Sequence, residues 1–168
     1  MNFIVAVDNN YAIGKDNNLL YSLKGDMQYF KTTTTEKVVV MGDRTLLSLP
    51  KSAPLKNRTN IVISIDPNFT VEGAVVCHNF DELFAELKKY NDDEIFVIGG
   101  ASIYNQLMPY CKYGYITKID SKKPYDKAIT NVESLGWELI SKSETHEENG
   151  LNYNFCIFKN PNVKKWGE

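Results

Sequence analysis

Asp26 lies on the apolar face of a helix that the sequence predicts near the N-terminus. It follows Leu23 by three residues and precedes Phe30 by four, and Met27 is its neighbour. Residues at these spacings share one helix face, so the carboxylate projects together with apolar side chains. An apolar cleft would raise the pKa of this carboxyl group, and its two oxygens could bind a planar N–H array such as a 2-aminopyrimidinone. The alternative is a solvated Asp that the positive end of the helix stabilises.

Two apolar strands end at glycine and continue directly into helices, an arrangement that can bind anions. The first leads from residues 38–42 into Arg44 and Thr45, and the second contains the pair Gly99-Gly100. Backbone N–H groups at a helix start attract negative charge, and glycine lets a cofactor approach the backbone closely. The second junction is not G-x-G-x-x-G, which disfavours a Rossmann dehydrogenase. A tight turn is the alternative interpretation of the glycine pair.

Arg44 and Arg58 are the only arginines among 19 basic residues. In a chain this rich in lysine, an arginine indicates a need for the planar guanidinium fork. Both lie in loops at strand edges, which suggests two separate anionic groups, a cofactor phosphate and a substrate carboxylate. Solvated loop positions without a ligand are the alternative.

Strands and helices must position these groups, and hydrophobic periodicity predicts them in alternation. Short β-branched runs predict strands at residues 3–7, 38–41, 60–65, 74–77, 94–98 and 113–119. Helical spacing predicts helices at residues 23–31, 45–49, 81–90 and 102–108, and Asn79 stands three residues before Glu82 as a helix cap. Residues 137–143 and 153–158 predict an antiparallel hairpin with a polar link at 147–150. The expected α/β fold is a mostly parallel mixed sheet of about eight strands, closed by this hairpin and flanked by about four helices.

Length and composition narrow the class of protein. The 168 residues predict a single domain, and 43% hydrophobic and 24% charged residues are typical of a globular chain. The net charge of -2 provides no general cationic field for nucleic acid or anionic lipid. We expect a monomer in the cytoplasm, since no apolar run reaches membrane-spanning length and no signal peptide is evident. Three widely spaced cysteines with two histidines indicate buried thiols and no metal site.

Taken together and in this order, the motifs resemble the dihydrofolate reductase family from Phe3 to Phe158. The resemblance rests on Ala12-Ile13-Gly14 with Asn17 and Leu19, Asp26 with Phe30, Met41-Gly42 with Thr45, Arg58, Val97-Ile98-Gly99-Gly100 with Ile103-Tyr104, Thr117, and Tyr153 with Phe155. It implies the reduction of 7,8-dihydrofolate to tetrahydrofolate by hydride transfer from NADPH, in one-carbon metabolism and thymidylate and purine synthesis, with antifolates as inhibitors.

The resemblance also implies the substrate site. Asp26 would bind the 2-amino and N3 edge of the pterin, with Thr117 linked to it through water, and Arg58 would bind the α-carboxylate of the glutamate tail. The expected catalytic set is Asp26, Thr117, Leu19 and Tyr21, in which the loop of Leu19 and Tyr21 admits the water that protonates N5. The ring pocket would be lined by Ile4, Val5, Ala6, Met27, Phe30, Leu49, Leu55 and Ile98, with Ser48 at its mouth.

The implied cofactor is NADPH, with a cis peptide at Gly99-Gly100. Its expected contacts are Ala6, Ile13, Gly14, Leu19, Gly42, Asp43, Arg44, Thr45, Ser64, Ile98, Gly99, Gly100, Ala101, Ser102, Ile103, Tyr104 and Gln106. Ser64 would add a hydrogen bond to the 2′-phosphate.

The chain departs from the family pattern at three places. Leu20-Tyr21 replaces the usual Pro-Trp of the mobile loop, which leaves loop closure less sharply defined. Asp43 replaces a basic residue, and Ile65 follows Ser64 where a polar or basic residue is usual, so selectivity for the 2′-phosphate is reduced. Two rival functions stay open: the related reductase of riboflavin synthesis, and a binding module that kept the fold without turnover.

Overall fold

The computed structural model describes residues 1–166, which form twelve strands and four α-helices. The strands are β1 Asn2–Val7, β2 Ala12–Lys15, β3 Asn18–Leu19, β4 Val38–Gly42, β5 Thr59–Ile63, β6 Val75–Cys77, β7 Ile95–Gly99, β8 Tyr113–Ile119, β9 Lys127–Ala128, β10 Glu138–Lys142, β11 His146–Glu148 and β12 Leu151–Lys159. The helices are α1 Lys24–Thr34, α2 Asp43–Ser48, α3 Phe80–Leu87 and α4 Ala101–Leu107.

One large sheet organises the fold. Its strand order is β10-β12-β8-β1-β7-β4-β5-β6, and β11 pairs with β12 outside this path. The pairs from β8 through β1, β7, β4 and β5 to β6 are all parallel, whereas β12 runs antiparallel to β8, β10 and β11. The predicted fold class is therefore confirmed.

The two faces of the sheet bury different clusters, because side chains alternate along each strand. We call the face that carries Thr117 the front and the opposite face the back. Phe3, Val5 and Val7 of β1 belong to the largest cluster, on the back, together with Val38 and Val40 of β4. The next cluster, on the front, is built on Val39, Met41, Leu46 and Val62 and is called the Met41 cluster. A third, called the Tyr153 cluster, is built on Leu23, Ile119 and Tyr153.

On the front face, a strip of the sheet lies between the Met41 cluster and the Tyr153 cluster and belongs to neither. The Met41 cluster covers β4 and β5, and the Tyr153 cluster covers β8 and β12. The strands β1 and β7 lie between these pairs in the sheet order. Because both end at the same edge as β4, this strip opens at the carboxyl ends of parallel strands, where α/β proteins bind ligands.

The C-terminal hairpin differs from its prediction. Glu147 and Glu148 of the predicted polar link belong to the strand β11, and Asn149 and Gly150 alone make the turn to β12. Both have positive φ, 53° and 77°, as a two-residue I′ turn requires. The nine-residue β12 is long enough to pair with β11 along its first part and with β10 along its second.

A second, small sheet was not predicted. It has the order β3-β2-β9, and its strands are two to four residues long. Asp126 adds to it, because its N–H donates to Gly14 O at 3.0 Å and its Oδ2 accepts from Asp16 N at 3.0 Å. This sheet holds the loop that precedes α1.

Candidate active site

Asp26 reaches the front face of the sheet from the first turn of α1. Its Oδ1 accepts a hydrogen bond of 2.6 Å from Oγ1 of Thr117, which is 2% exposed in the middle of β8. The bond is direct, so the expected water link between these side chains is wrong. Burial raises the pKa of the Asp26 carboxyl group, the Thr117 hydrogen bond lowers it, and the charge of Glu148 raises it further.

The walls of the strip contain four of the eight residues expected to line the ring pocket. Ala6, opposite Thr117 in the β1–β8 register, packs on the Tyr153 cluster. Leu49, Leu55 and Ile98 pack on the Met41 cluster at the other side. An apolar slot with one carboxylate at its inner end is the arrangement that a flat heterocycle with an N–H edge requires.

The other residues expected in the pocket lie in different surroundings from one another. Met27 is 61% exposed at the open side, Phe30 is half-buried and Ser48 is exposed. Ile4 is buried, and its carbonyl oxygen accepts from the Tyr104 hydroxyl at 2.7 Å. The expected lining role of the Val5 side chain is wrong, because Val5 alternates with Ala6 and packs in the back-face cluster.

Arg58 lies beyond the Met41 cluster, against the C-terminal part of α1. Its Nε and Nη2 each donate to Oγ1 of buried Thr34 at 3.2 Å, and its Nη1 donates to Lys56 O at 2.9 Å. Its guanidinium lies 6.0 Å from the centroid of the Phe30 ring. A guanidinium has five N–H donors, so one remains on each terminal nitrogen, and together they form a fork for a carboxylate.

The two glycine junctions lie side by side at the carboxyl edge of the sheet. Met41 is paired with Gly99 in the β4–β7 register, and the Gly99-Gly100 peptide is cis, as the resemblance implies. A Cβ on Gly100 would approach only Thr45 Oγ1, at 3.6 Å. The helices α2 and α4 both begin here, so their free N–H groups lie at one edge of the sheet. We call the surface between Gly42 and Gly100 at this edge the groove.

The sequence matches one protein family over nearly the whole chain. The family model described as dihydrofolate reductase matches residues 1–160. The chain belongs to the dihydrofolate reductase family.

The chain is similar to known dihydrofolate reductases over almost its whole length. Dihydrofolate reductase of Bacillus subtilis (strain 168) is 34% identical over 169 residues, covering 99% of this chain and 98% of that protein. Dihydrofolate reductase type 3 of Salmonella typhimurium is 35% identical over 158 residues, covering 94% of each. Among solved structures, dihydrofolate reductase from Enterococcus faecalis in complex with NADP(H) and RAB-propyl has a TM-score of 0.83 at 27% identity and covers 94% of both chains.

The groove at the junctions fits the dinucleotide that this family uses. Gly42, Thr45, Gly99 and Gly100 border it, and the open space at Gly100 would be reduced by any Cβ. Other expected contacts on the same helices lie at or near the surface: Arg44, Ala101, Ser102, Ile103 and Gln106. The Gln106 side chain already donates to Ser102 Oγ at 2.7 Å. Within residues 1–166, no cluster of histidine, cysteine and acidic residues could hold a metal ion.

Asp43 and Ser64 form a pair at the outer end of this groove. The Ser64 hydroxyl donates to Asp43 Oδ2 at 2.6 Å and accepts from Asp66 N at 3.2 Å. A hydroxyl has one proton to donate, so the expected hydrogen bond from Ser64 to a 2′-phosphate would have to replace the bond to Asp43. Ile65 is 92% exposed beside the pair and contributes no charge.

The loop before α1 is anchored through its aromatic residue. Leu19 is 82% exposed, whereas the Tyr21 hydroxyl donates to Asp8 Oδ2 at 2.9 Å. Lys123 lies 4.4 Å from the Tyr21 ring centroid and donates to Leu20 O at 3.1 Å. The phenol that replaces the family's indole thus has its own partners, and it points toward Asp8.

Two positioning carboxylates were missed by sequence reasoning. Asp8 is completely buried and accepts from Asn10 N, Ala12 N and Tyr21. An Asp directly after a strand, followed by two Asn, is a turn signal that could have identified it. Glu148 binds the start of α1 from the distant hairpin, and no local sequence signal marks that contact.

Proposed function

We infer that the chain catalyses the reaction of its family, the reduction of 7,8-dihydrofolate to 5,6,7,8-tetrahydrofolate with NADPH as the hydride donor. The observation that carries this conclusion is the Asp26–Thr117 pair at the inner end of an apolar slot, next to the paired glycine junctions. A slot for a flat ring and a groove for a dinucleotide share one sheet edge, which a hydride transfer between two bound molecules requires.

Asp26 binds the 2-amino and N3 edge of the pterin in this proposal. A carboxylate accepts two parallel N–H bonds, and its charge favours a pterin that carries a positive charge after protonation. Thr117 fixes the carboxylate by donating to one oxygen, which leaves the second oxygen and the other lone pair for the ligand. Ala6 and Ile98 hold the ring from its two sides.

Bound NADPH supplies a hydride from its reduced nicotinamide. The glycine junctions receive the dinucleotide, and the exclusion of water from the slot strengthens every charge interaction inside it. Because Asp26 is committed to the far edge of the pterin, the proton for N5 comes from water that the Leu19–Tyr21 loop admits.

Arg58 binds the glutamate tail with the fork that Thr34 and Lys56 leave open. The fork lies at the outer end of the apolar wall, close to Phe30. A ligand with an aromatic ring between a pterin and a carboxylate therefore meets complementary groups along its length.

We also propose that residues 1–168 work as one domain and as a monomer in the cytoplasm. One chain supplies every residue assigned to the slot and the groove, so the site is complete without a partner. The helices of residues 1–166 include none that is long and apolar enough to span a membrane.

Steady-state oxidation of NADPH in the presence of dihydrofolate tests the function. We expect turnover that requires both compounds and that stoichiometric methotrexate abolishes. A chain that binds NADPH and trimethoprim in a melting assay without turnover would be a binding module. A chain that ignores both antifolates but reduces a phosphoribosyl pyrimidine would be the riboflavin-pathway reductase.

A further inference from the structure

The helix α1 begins without a cap from its own sequence. The N-cap residue is Leu23, with an extended backbone at φ -120° and ψ 124° and no side-chain cap hydrogen bond. Leu23 is 3% exposed and packs in the Tyr153 cluster. The first N–H groups of a helix have no partner within it, so those of α1 need an acceptor from elsewhere.

Glu148, more than a hundred residues away, provides that acceptor. Its Oε2 accepts from Lys24 N at 2.7 Å, and its Oε1 accepts from Gly25 N at 3.0 Å. Both carboxylate oxygens are thus used on successive N–H groups, directly before Asp26. These two backbone hydrogen bonds lower the pKa of Glu148, because they stabilise the charged carboxylate.

The same hairpin contacts α1 on both sides of Asp26. The Tyr153 hydroxyl packs so closely over Gly25 that a Cβ there would collide with it. One turn further along, Tyr29 stacks on Phe155 with ring centroids 4.1 Å apart and planes 8° apart. Phe155 is paired with Thr117, the hydrogen-bond donor to Asp26, in the β8–β12 register.

We propose that Glu148 is a positioning residue for substrate binding, which fixes the start of α1 so that Asp26 meets both Thr117 and the pterin. The hairpin β11–β12 then sets the distance of the carboxylate from the sheet. This inference rests on the proposed role of Asp26. Removing Glu148 lets the first turn of α1 fray, and a small displacement of a ligand-binding group has a large effect on binding.

Two substitutions at Glu148 and one neighbouring control test this inference. Glu148→Ala removes both acceptors, whereas Glu148→Gln keeps one of them. Glu147→Gln removes the same charge from the adjacent position of β11, whose side chain lies on the opposite side of the strand. For each variant, trimethoprim and NADPH dissociation constants, kcat and KM for dihydrofolate, and the melting temperature are measured.

We expect Glu148→Ala to weaken trimethoprim binding and to raise the KM for dihydrofolate by about tenfold, with the NADPH dissociation constant unchanged. Glu148→Gln should give a smaller loss of trimethoprim and dihydrofolate binding. If the alanine variant does not fold, the glutamine variant provides the test. Glu147→Gln should match the wild type. A lower melting temperature with unchanged ligand constants, or equal losses for trimethoprim and NADPH, would overturn the inference.

A parallel Asp26→Asn variant separates this inference from the proposed function. If Asp26→Asn leaves trimethoprim binding unchanged, the role of Asp26 is wrong whatever Glu148 does. If Asp26→Asn weakens trimethoprim but Glu148→Ala does not, only the positioning role is wrong.

Discussion

Asp26 is a carboxylate whose surroundings oppose its charge. Burial raises its pKa above the ordinary value of 3.8, so the folded chain binds this proton more tightly than the unfolded chain does. Its contribution to stability is therefore complete below pH 3.8 and is lost as the pH rises through the raised pKa. A residue that lowers stability at neutral pH is typical of a binding site.

Asp26→Asn should lose activity and gain stability at neutral pH. We expect kcat/KM at pH 7 to fall by ~10²–10⁴-fold, because the amide neither binds the N–H edge with two acceptors nor favours protonated substrate. The residual rate should rise as the pH falls, since solvent then supplies protonated substrate. Denaturant titrations should give a higher free energy of unfolding than wild type at pH 7 and a smaller difference near pH 3. Wild-type kcat at pH 7 would contradict the assignment.

Arg58→Lys should distinguish ligands that have a glutamate tail from those without one. An ammonium group cannot reproduce the free fork, so we expect methotrexate to bind roughly tenfold or more weakly, at ~1.5–3 kcal/mol per charged hydrogen bond. Trimethoprim has no such tail, so its affinity should fall much less. Loss of the contacts to Thr34 and Lys56 would affect both inhibitors alike. Equal losses of affinity for the two inhibitors would therefore show that Arg58 only supports the fold and does not bind the tail.

Asp43→Arg should increase selectivity for NADPH. The Asp43 charge opposes a 2′-phosphate, and it also binds the hydroxyl of Ser64. We expect the KM for NADPH to fall several-fold with that for NADH nearly constant, and the gain to shrink at high salt. Asp43→Asn, which removes only the charge, should give an intermediate value. Equal changes for the two cofactors would show that Asp43 acts on the helix start and not on the phosphate.

At the scale of elements, NADPH binding should depend most on the junction between β7 and α4. Gly100→Ala should fold normally, since the new Cβ would approach only Thr45 Oγ1 at 3.6 Å. The methyl group would nevertheless occupy the groove, so we expect a smaller rise in melting temperature with saturating NADPH than in the wild type. Without cofactor the two melting temperatures should be close. An undiminished rise would mean that the glycine pair is only a turn.

Element boundaries were predicted where the signal is local. Asn79 caps α3 as predicted, with its side chain accepting from Glu82 N at 2.8 Å. The helix ends at Leu87, three residues before the predicted end, because Lys88–Tyr90 form a tighter turn with hydrogen bonds to residues 84, 86 and 87. The turn of the hairpin lies within the predicted link, at Asn149 and Gly150, whereas β11 was missed because it forms only through its pairing with β12.

At the scale of the whole molecule, the three thiols report on global unfolding. Cys77, Cys111 and Cys156 are all buried, and burial raises the pKa of Cys77 to about 11 and that of Cys111 to about 12. Alkylation needs the thiolate, so we expect negligible labelling of the native protein at pH 7. Labelling should begin at the denaturant concentration where circular dichroism reports unfolding, and NADPH should delay it. Rapid labelling of one thiol in native buffer would reveal local opening.

The sequence by itself determined the four helices, eight of the nine strands of the large sheet, the apolar face of α1 and the two glycine junctions, since each depends on residues close together in the chain. It also placed Asp26 among apolar neighbours. Only the tertiary structure decided the partners of these groups. Thr117, Ser64 and Glu148 reach Asp26, Asp43 and Lys24 across 91, 21 and 124 residues. Such contacts arise from strand pairing and packing, which local spacing does not encode.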